Sequence, residues 1–285
     1  MKRNLESIAL KSIPIQKKPV LDVFNVSKHF DLNGNARSVL DDISFSAASG
    51  EMICIIGRSG CGKTTLLNIL AGFLMPSSGV VKVNGRPIRK PGPDRCVIFQ
   101  EDTLFPWLTV RENIAFGLRS GTIGDKHSIE SEVDRFLTLV RLHEFQHYLP
   151  QEISGGMKQR VAIARVLILQ PQVLLMDEPF ASLDYHTRRE MQNLLLAIWM
   201  ELNQTIIFVT HDVDEAITLA DRIALIDKNS GHIREVLAVP LPRPRKPEIP
   251  EYIFSEKIYM NLCRETQRVL PVYLLLKEWN YAACR

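Results

Sequence analysis

Gly57-Arg-Ser-Gly-Cys-Gly62-Lys63-Thr64 decides how the rest of this chain is read. The stretch fits G-x-x-x-x-G-K-[ST]. A short apolar run, Met52 to Ile56, precedes it, and an apolar helical pattern from Lys63 to Ala71 follows. Strand, glycine-rich loop and helix in that order make a phosphate cradle. Glycines let backbone N–H groups turn inward around phosphate oxygens, and the helix start adds the positive end of its dipole. On this reading Gly57, Ser59, Gly60, Cys61, Gly62, Lys63, Thr64 and Thr65 line a nucleotide site. Lys63 supplies a point charge to the β- and γ-phosphates, and the Thr64 hydroxyl is a ligand for Mg²⁺.

Outward from the loop, short apolar strands alternate with helical segments. Val20 to Ser46 reads as strands around Asn33-Gly34-Asn35, a turn signal. Val80 to Val83 is a strand closed by Asn84-Gly85, and residues 94–99 form another. Residues 107–149 read mostly as helices, with Gly121 and Gly124 marking a loop. A helix over 155–169 stops before Pro171. Strands are expected at 173–176, 205–209 and 223–226, with helices at about 186–202 and 213–220 between them. This alternation predicts an α/β fold with a mostly parallel sheet and helices on its faces. No internal repeat is visible.

The 285 residues suffice for one large domain, or one domain with a small appendage. A lysine-rich leader over 1–19 and a domain over 20–240 are expected. Pro240-Leu-Pro-Arg-Pro-Arg-Lys-Pro247 reads as an extended linker. Residues 250–285 are partly helical in pattern, and Ile253, Ile258 and Leu262 could share one face. That face suits either packing on the same domain or a regulatory docking element. The five cysteines form no C-x-x-C pair, so structural zinc and a disulfide framework are not expected and a reducing cytosol fits. A net charge of +3 is too mild for a nucleic-acid footprint, so no nucleic-acid partner is expected. The N-terminus does not read as a signal peptide. No apolar stretch approaches the roughly 20 residues that span a bilayer. Any membrane part would be a separate chain.

Two further stretches carry chemistry. In Val173-Leu-Leu-Met-Asp177-Glu178-Pro179 a buried strand ends in adjacent carboxylates. Asp177 is placed to hold Mg²⁺ through water, and Glu178 to polarise an attacking water as general base. In Ile153-Ser154-Gly155-Gly156-Met157-Lys158-Gln159-Arg160, Ser154 is a candidate N-cap and the two glycines leave helix-start N–H groups open to an anion.

Together these segments resemble the ATP-binding subunits of ABC transporters. The resemblance covers roughly residues 20–247. The segment at 154–156 is similar to the family's Leu-Ser-Gly-Gly-Gln signature, but carries Ile153 and Met157 at its ends. The resemblance implies a P-loop NTPase with a RecA-like core, an antiparallel β subdomain and a helical signature subdomain at about 101–165. It further implies that Gln100 is the glutamine that senses Mg²⁺ and the attacking water. Asp184 of Ala181-Ser-Leu-Asp184 matches the D-loop, and His211 matches the switch histidine that contacts the γ-phosphate. Phe30 falls where the family stacks an aromatic on adenine, although it could be a core residue.

The same resemblance implies a homodimer or heterodimer of ATPase subunits. They pair head to tail, with ATP between the phosphate loop of one and Ser154, Gly155 and Gly156 of the other. It implies transmembrane permease subunits docked near Gln100 and Leu104-Phe-Pro-Trp107, and a periplasmic or lipoprotein solute-binding protein. The subunit would lie peripherally on the cytoplasmic face of the cell membrane. Pro91-Gly-Pro-Asp94-Arg95, Leu104-Phe-Pro-Trp107-Leu-Thr-Val-Arg-Glu-Asn113 and Leu241-Pro-Arg-Pro-Arg245 look like the branch serving importers of nitrate, taurine and other sulfonates. Three rivals stand beside it. A DNA-repair or chromosome ATPase would need a long coiled coil between Thr64 and Ser154, and no heptad run is present. Translation-associated relatives usually carry two cassettes, and this chain has one phosphate loop. An ATPase without a transport partner is the third.

Overall fold

The computed structural model describes residues 19–32, 35–101, 103–120, 126–228, 230–243 and 245. The leader over 1–18, the Asn33-Gly34 turn, the Gly121 and Gly124 loop and the pattern over 250–285 lie outside the described residues.

Strands β1 (Pro19–Leu32), β2 (Asn35–Ala48), β4 (Ser78–Val83) and β5 (Arg86–Pro87) form an antiparallel sheet in the order β2-β1-β4-β5. Strands β3 (Met52–Ile56), β6 (Arg95–Ile98), β7 (Val173–Asp177), β8 (Thr205–Thr210), β9 (Arg222–Ile226) and β10 (Ile233–Ala238) form the second sheet. Its order is β10-β9-β3-β8-β7-β6, parallel throughout except for β10. β10 was not foreseen. Its residues are mostly exposed or half-buried, so it lacks the continuous apolar run that marked the inner strands.

The inner strands are buried on both faces, and their side chains alternate between two cores. Met52, Cys54, Ile56, Leu174, Met176, Ile206 and Phe208 face one core. It is closed by α2 (Val110–Ser120), α3 (Lys126–Leu139), α4 (Gly155–Leu167), α5 (Tyr185–Leu202) and α6 (Val213–Leu219). Ile53, Ile55, Val173, Leu175, Ile207 and Val209 face the other, which packs α1 (Lys63–Ala71) and the antiparallel sheet. Helix boundaries follow local chemistry. Ser154, Asp184 and Asp212 cap α4, α5 and α6 with side-chain oxygens. Asn203 ends α5 in the left-handed region.

Two consequences matter for function. The strand order places β8 between β3 and β7, although it follows both in sequence. The carboxyl ends of β3, β8 and β7 therefore lie side by side, with Ile56 opposite Thr210 and Asp177 opposite Val209. In open parallel sheets ligands bind in the crevice beyond such ends. The Pro/Arg segment read as a linker is also fastened to the domain as far as it is described. Arg243 lies against the Trp199 ring, 4.4 Å from its centroid, and pairs with Asp221 at 2.7 Å. The buried Arg245 guanidinium donates to the carbonyls of Ile217, Ala220, Val239 and Leu241. Arginine's planar fork matches several acceptors at once, a fit that composition does not reveal.

Candidate functional site

The loop leaving β3 turns into α1 at Gly62, whose φ of 101° lies in the left-handed region. A Cβ there would stand 2.8 Å from Leu40 Cδ2 and 2.9 Å from the Val39 carbonyl oxygen. Only glycine lets the loop pass this close to β2. Ser59 and Gly60 are exposed, Gly57 and Cys61 are buried beneath them, and burial raises the Cys61 thiol above its usual pKa. α1 has no side-chain cap and no acidic residue in its first turn. A helix that begins at a sheet's carboxyl edge with open N–H groups suits an anion.

Lys63 is only 6% exposed. Its Nζ donates to the Gly57 carbonyl at 2.9 Å and lies 3.7 Å from Glu178 Oε1. Thr65 is half-buried in the first turn of α1, and Thr64 is exposed beside it. The Thr64 side chain lies beside Asp177 and favours its charged form. Burial pushes the Asp177 carboxyl above its ordinary pKa, and the neighbouring Glu178 adds to that. Thr64 and Lys63 act in the opposite sense. A hydroxyl and a carboxylate are hard oxygen donors that fit Mg²⁺. Among the described residues no group of three or more His, Cys, Asp or Glu could hold a metal. A divalent ion here would complete its shell with water or phosphate oxygens.

Glu178 has φ 45°, a conformation that is uncommon for a residue with a side chain. Its N–H bonds the Val209 carbonyl across to β8 at 2.9 Å. Its Oε2 lies 2.7 Å from His211 Nδ1, and His211 is 61% exposed at the end of β8. With Glu178 ionised, the ring must donate from Nδ1. One carboxylate thus meets the loop lysine on one oxygen and the histidine on the other. Backbone strain concentrated at such a point is characteristic of functional sites.

Gln100 is exposed two residues beyond β6. Among the described residues no hydrogen bond joins it to Glu178 or His211. Phe30 is 36% exposed on β1, with Lys28 Nζ 5.1 Å from its ring centroid, so it is not a core residue. Ser154 accepts from the Met157 N–H at 3.3 Å, and Gly155 beside it is exposed and unobstructed. Gly156 is buried, and a Cβ there would meet Thr187 Cγ2 at 2.6 Å. Thr187 in turn donates its hydroxyl to Asp184 at 2.6 Å, and that bond holds the Asp184 carboxyl below its usual pKa. No hydrogen bond or ion pair among the described residues links 154–156 to the 57–65 loop. One chain therefore assembles Lys63, Thr64, Asp177, Glu178 and His211, and leaves the signature-like segment apart from them.

Sequence reasoning passed over the residues behind His211. Thr210 Oγ1 donates to Glu215 Oε2 at 2.6 Å and accepts from the Asp212 N–H at 3.0 Å. Burial raises the pKa of the Glu215 carboxyl. Asp212-Val-Asp-Glu215 has the spacing of a capping box, a signal that could have drawn attention to it. Trp107, by contrast, is 72% exposed. It lies against Phe105, which also contacts Phe116 and Arg165, and the patch is too open to be ordinary packing.

The family model described as ABC transporter matches residues 40–181. The nitrate import ATP-binding protein NrtD of Synechococcus elongatus is 47% identical over 228 residues, which cover 78% of this chain and 82% of that protein. The bicarbonate transport ATP-binding protein CmpD of the same organism is 44% identical over 232 residues, covering 81% of this chain and 84% of that one. Among solved structures, a dimeric post-hydrolysis ATP-binding cassette bound to ADP and Pi superposes with a TM-score of 0.67. It is 27% identical and is matched over its whole length by 78% of this chain. The chain belongs to the ABC transporter family, as an ATP-binding subunit that hydrolyses ATP to drive transport.

Proposed function

We propose that this chain is the motor of an importer for a small anion such as nitrate, taurine or another sulfonate. Two copies, or one copy and a related subunit, would work against transmembrane permease subunits on the cytoplasmic face of the cell membrane. A separate binding protein would deliver the solute. The identity to NrtD supports the nitrate-type assignment, and bicarbonate, named for CmpD, is a solute of the same chemical kind. Among the described residues no helix is long and apolar enough to cross a membrane, in keeping with a permease on another chain. The exposed Trp107 and Phe116, with the half-buried Phe105 between them, are a fitting surface for it.

One observation carries the motor reading: Glu178 is shared between Lys63 at 3.7 Å and His211 at 2.7 Å, beside the uncapped start of α1. In the proposed mechanism the N–H groups of Gly60, Cys61, Gly62, Lys63, Thr64 and Thr65 bind the phosphates, and Phe30 stacks on the adenine. Lys63 exchanges the Gly57 carbonyl for the γ-phosphate. Glu178 takes a proton from the attacking water, and His211, oriented by Glu178, contacts the γ-phosphate. Thr64, Gln100 and Asp177 are the residues that would hold Mg²⁺. When bound, Mg²⁺ would neutralise charge on the phosphate oxygens. Because the 154–156 segment stands apart from the loop within one chain, the cage is completed by that segment of a second subunit. Asp184, joined to Thr187 beside Gly156, would contribute to the same cage.

The test has two parts. Lys63→Ala should abolish nucleotide binding and ATP-dependent pairing of the purified chain; unchanged affinity in a titration would remove the motor reading. For the solute, a strain lacking this chain should lose uptake of nitrate or of a sulfonate. Normal uptake of both would remove that assignment and leave the ATPase reading intact.

A further inference from the structure

The two residues proposed to act on the γ-phosphate and its attacking water sit on different loops. Glu178 opens the turn after β7, and His211 lies in the loop after β8. Their 2.7 Å contact therefore depends on how those loops are held together, and a residue of α5 is hydrogen-bonded to one and ion-paired with the other. Arg188 lies one turn into α5, where its Nε donates to the Phe180 carbonyl at 3.2 Å and Nη2 to the Leu183 carbonyl at 2.8 Å. Those carbonyls belong to the turn that follows Glu178, in which the Ala181 N–H bonds back to the Glu178 carbonyl. The third arm, Nη1, lies 3.8 Å from Asp212 Oδ2. Asp212 follows His211 directly and caps α6, accepting from the N–H groups of Asp214 and Glu215.

One turn further along the same face of α5, Gln192 Nε2 donates to Glu215 Oε1 at 3.2 Å. Glu215 then holds Thr210, the residue before His211. α5 thus grips the switch loop on both sides of the histidine, and Arg188 also grips the turn of the general base. Glu178, Phe180, Ala181, Arg188, Thr210, His211, Asp212 and Glu215 enclose a small cavity of ≈ 30 Å³ between the loops, room for about one water.

We propose that Arg188 is a positioning residue for ATP hydrolysis. It fastens the turn after Glu178 to the capping residue after His211, and so sets the relation of base to switch. The inference rests on the reading of Glu178 as the base. Arg188 touches neither the phosphate loop nor Lys63, so its effect falls on turnover rather than on nucleotide affinity. Lysine cannot replace it fully, because one ammonium cannot reproduce a planar fork shared between two carbonyls and a carboxylate.

The test measures kcat, nucleotide Kd and Tm on the full-length chain with ATP. Arg188→Met should lower kcat about ten- to a hundredfold, the scale of a misplaced catalytic group, with Kd unchanged. Arg188→Lys should fall between wild type and Arg188→Met. Asp212→Asn, which can still cap α6, should also lower kcat, and its effect should not add to that of Arg188→Met, as expected for partners. Wild-type kcat in Arg188→Met, a parallel loss of Kd and Tm, or fully additive effects would each overturn the proposal. Should Arg188→Met fail to fold, Arg188→Lys and Asp212→Asn decide: wild-type kcat in both overturns it. Glu178→Gln is measured alongside. If it hydrolyses ATP normally, the base reading falls and takes this inference with it. If it is inactive while Arg188→Met is normal, only this inference falls.

Discussion

Replacing Glu178 by glutamine tests the centre of the site with minimal disturbance. Glutamine keeps the length and volume of the side chain and meets the same backbone requirement at φ 45°. Its amide oxygen can still accept from His211 Nδ1 at the 2.7 Å spacing. Its NH₂ then turns toward Lys63 Nζ, which stands 3.7 Å from the present Oε1 and retains its bond to Gly57. What disappears is the ability to take a proton from water. Loss of a positioned base costs about 10²–10⁴ in rate, or roughly 3–5 kcal/mol at 1.36 kcal/mol per decade. Nucleotide affinity should hold or rise, because a negative charge beside the triphosphate is gone. Phosphate release under single-turnover conditions, read beside a nucleotide titration and size-exclusion with ATP, should show a bound, paired and inactive protein. Wild-type phosphate release would refute the assignment of the base. Lost nucleotide binding would refute the claim that the carboxylate serves turnover alone.

Other substitutions address separate parts of the site. Lys63→Met should weaken ATP binding at least tenfold by equilibrium titration, since the point charge on the phosphates is lost. Asp177→Asn should stabilise the nucleotide-free chain while abolishing Mg²⁺-dependent hydrolysis. The folded-state pKa of Asp177 is raised, mainly by burial. The acid form's advantage is therefore fully present below the ordinary carboxylate pKa and is lost as pH rises through the elevated folded value. Thermal melts should show the Asn variant gaining on wild type as pH climbs through that window, and an identical pH profile would contradict it. Gly156→Ala should lower ATPase activity despite alanine's better helix propensity, because its Cβ strikes Thr187 Cγ2 and disturbs the Thr187 bond to Asp184. Unchanged activity would show that this contact yields freely.

The parallel core was legible because its strands are apolar on both faces and end in Gly57, Asp177-Glu178 and His211, each just beyond a buried run. β10 was not, since an exposed antiparallel edge strand carries no such run. The phosphate loop announced itself through spacing, as backbone geometry there admits few residues. Glu178 and His211 could be named from sequence, but not their contact, which depends on β8 inserting between β3 and β7. Arg188 was invisible for a related reason, and Glu215 showed only as the last residue of a capping-box spacing. Their bonds run from helices to loops that only the folded order brings near. The hold on the described part of the Pro/Arg segment was not legible, because proline-rich composition suggests a linker, whereas the bonds of Arg243 and Arg245 depend on the fold.

The Arg245 clamp has a consequence for synthesis. The helix after His211 has seven residues, and the carbonyls at its far end, Ile217 and Ala220, are answered by a side chain 28 and 25 positions downstream. Domains fold as they leave the ribosome, amino-terminal parts first. β3 emerges early, but both of its sheet neighbours, β8 and β9, come late, β9 after His211 itself, so the phosphate cradle and the histidine arm are secured together near the end of synthesis. Order of emergence thus gives the polypeptide its grip on nucleotide and the means to spend it at one stage rather than two.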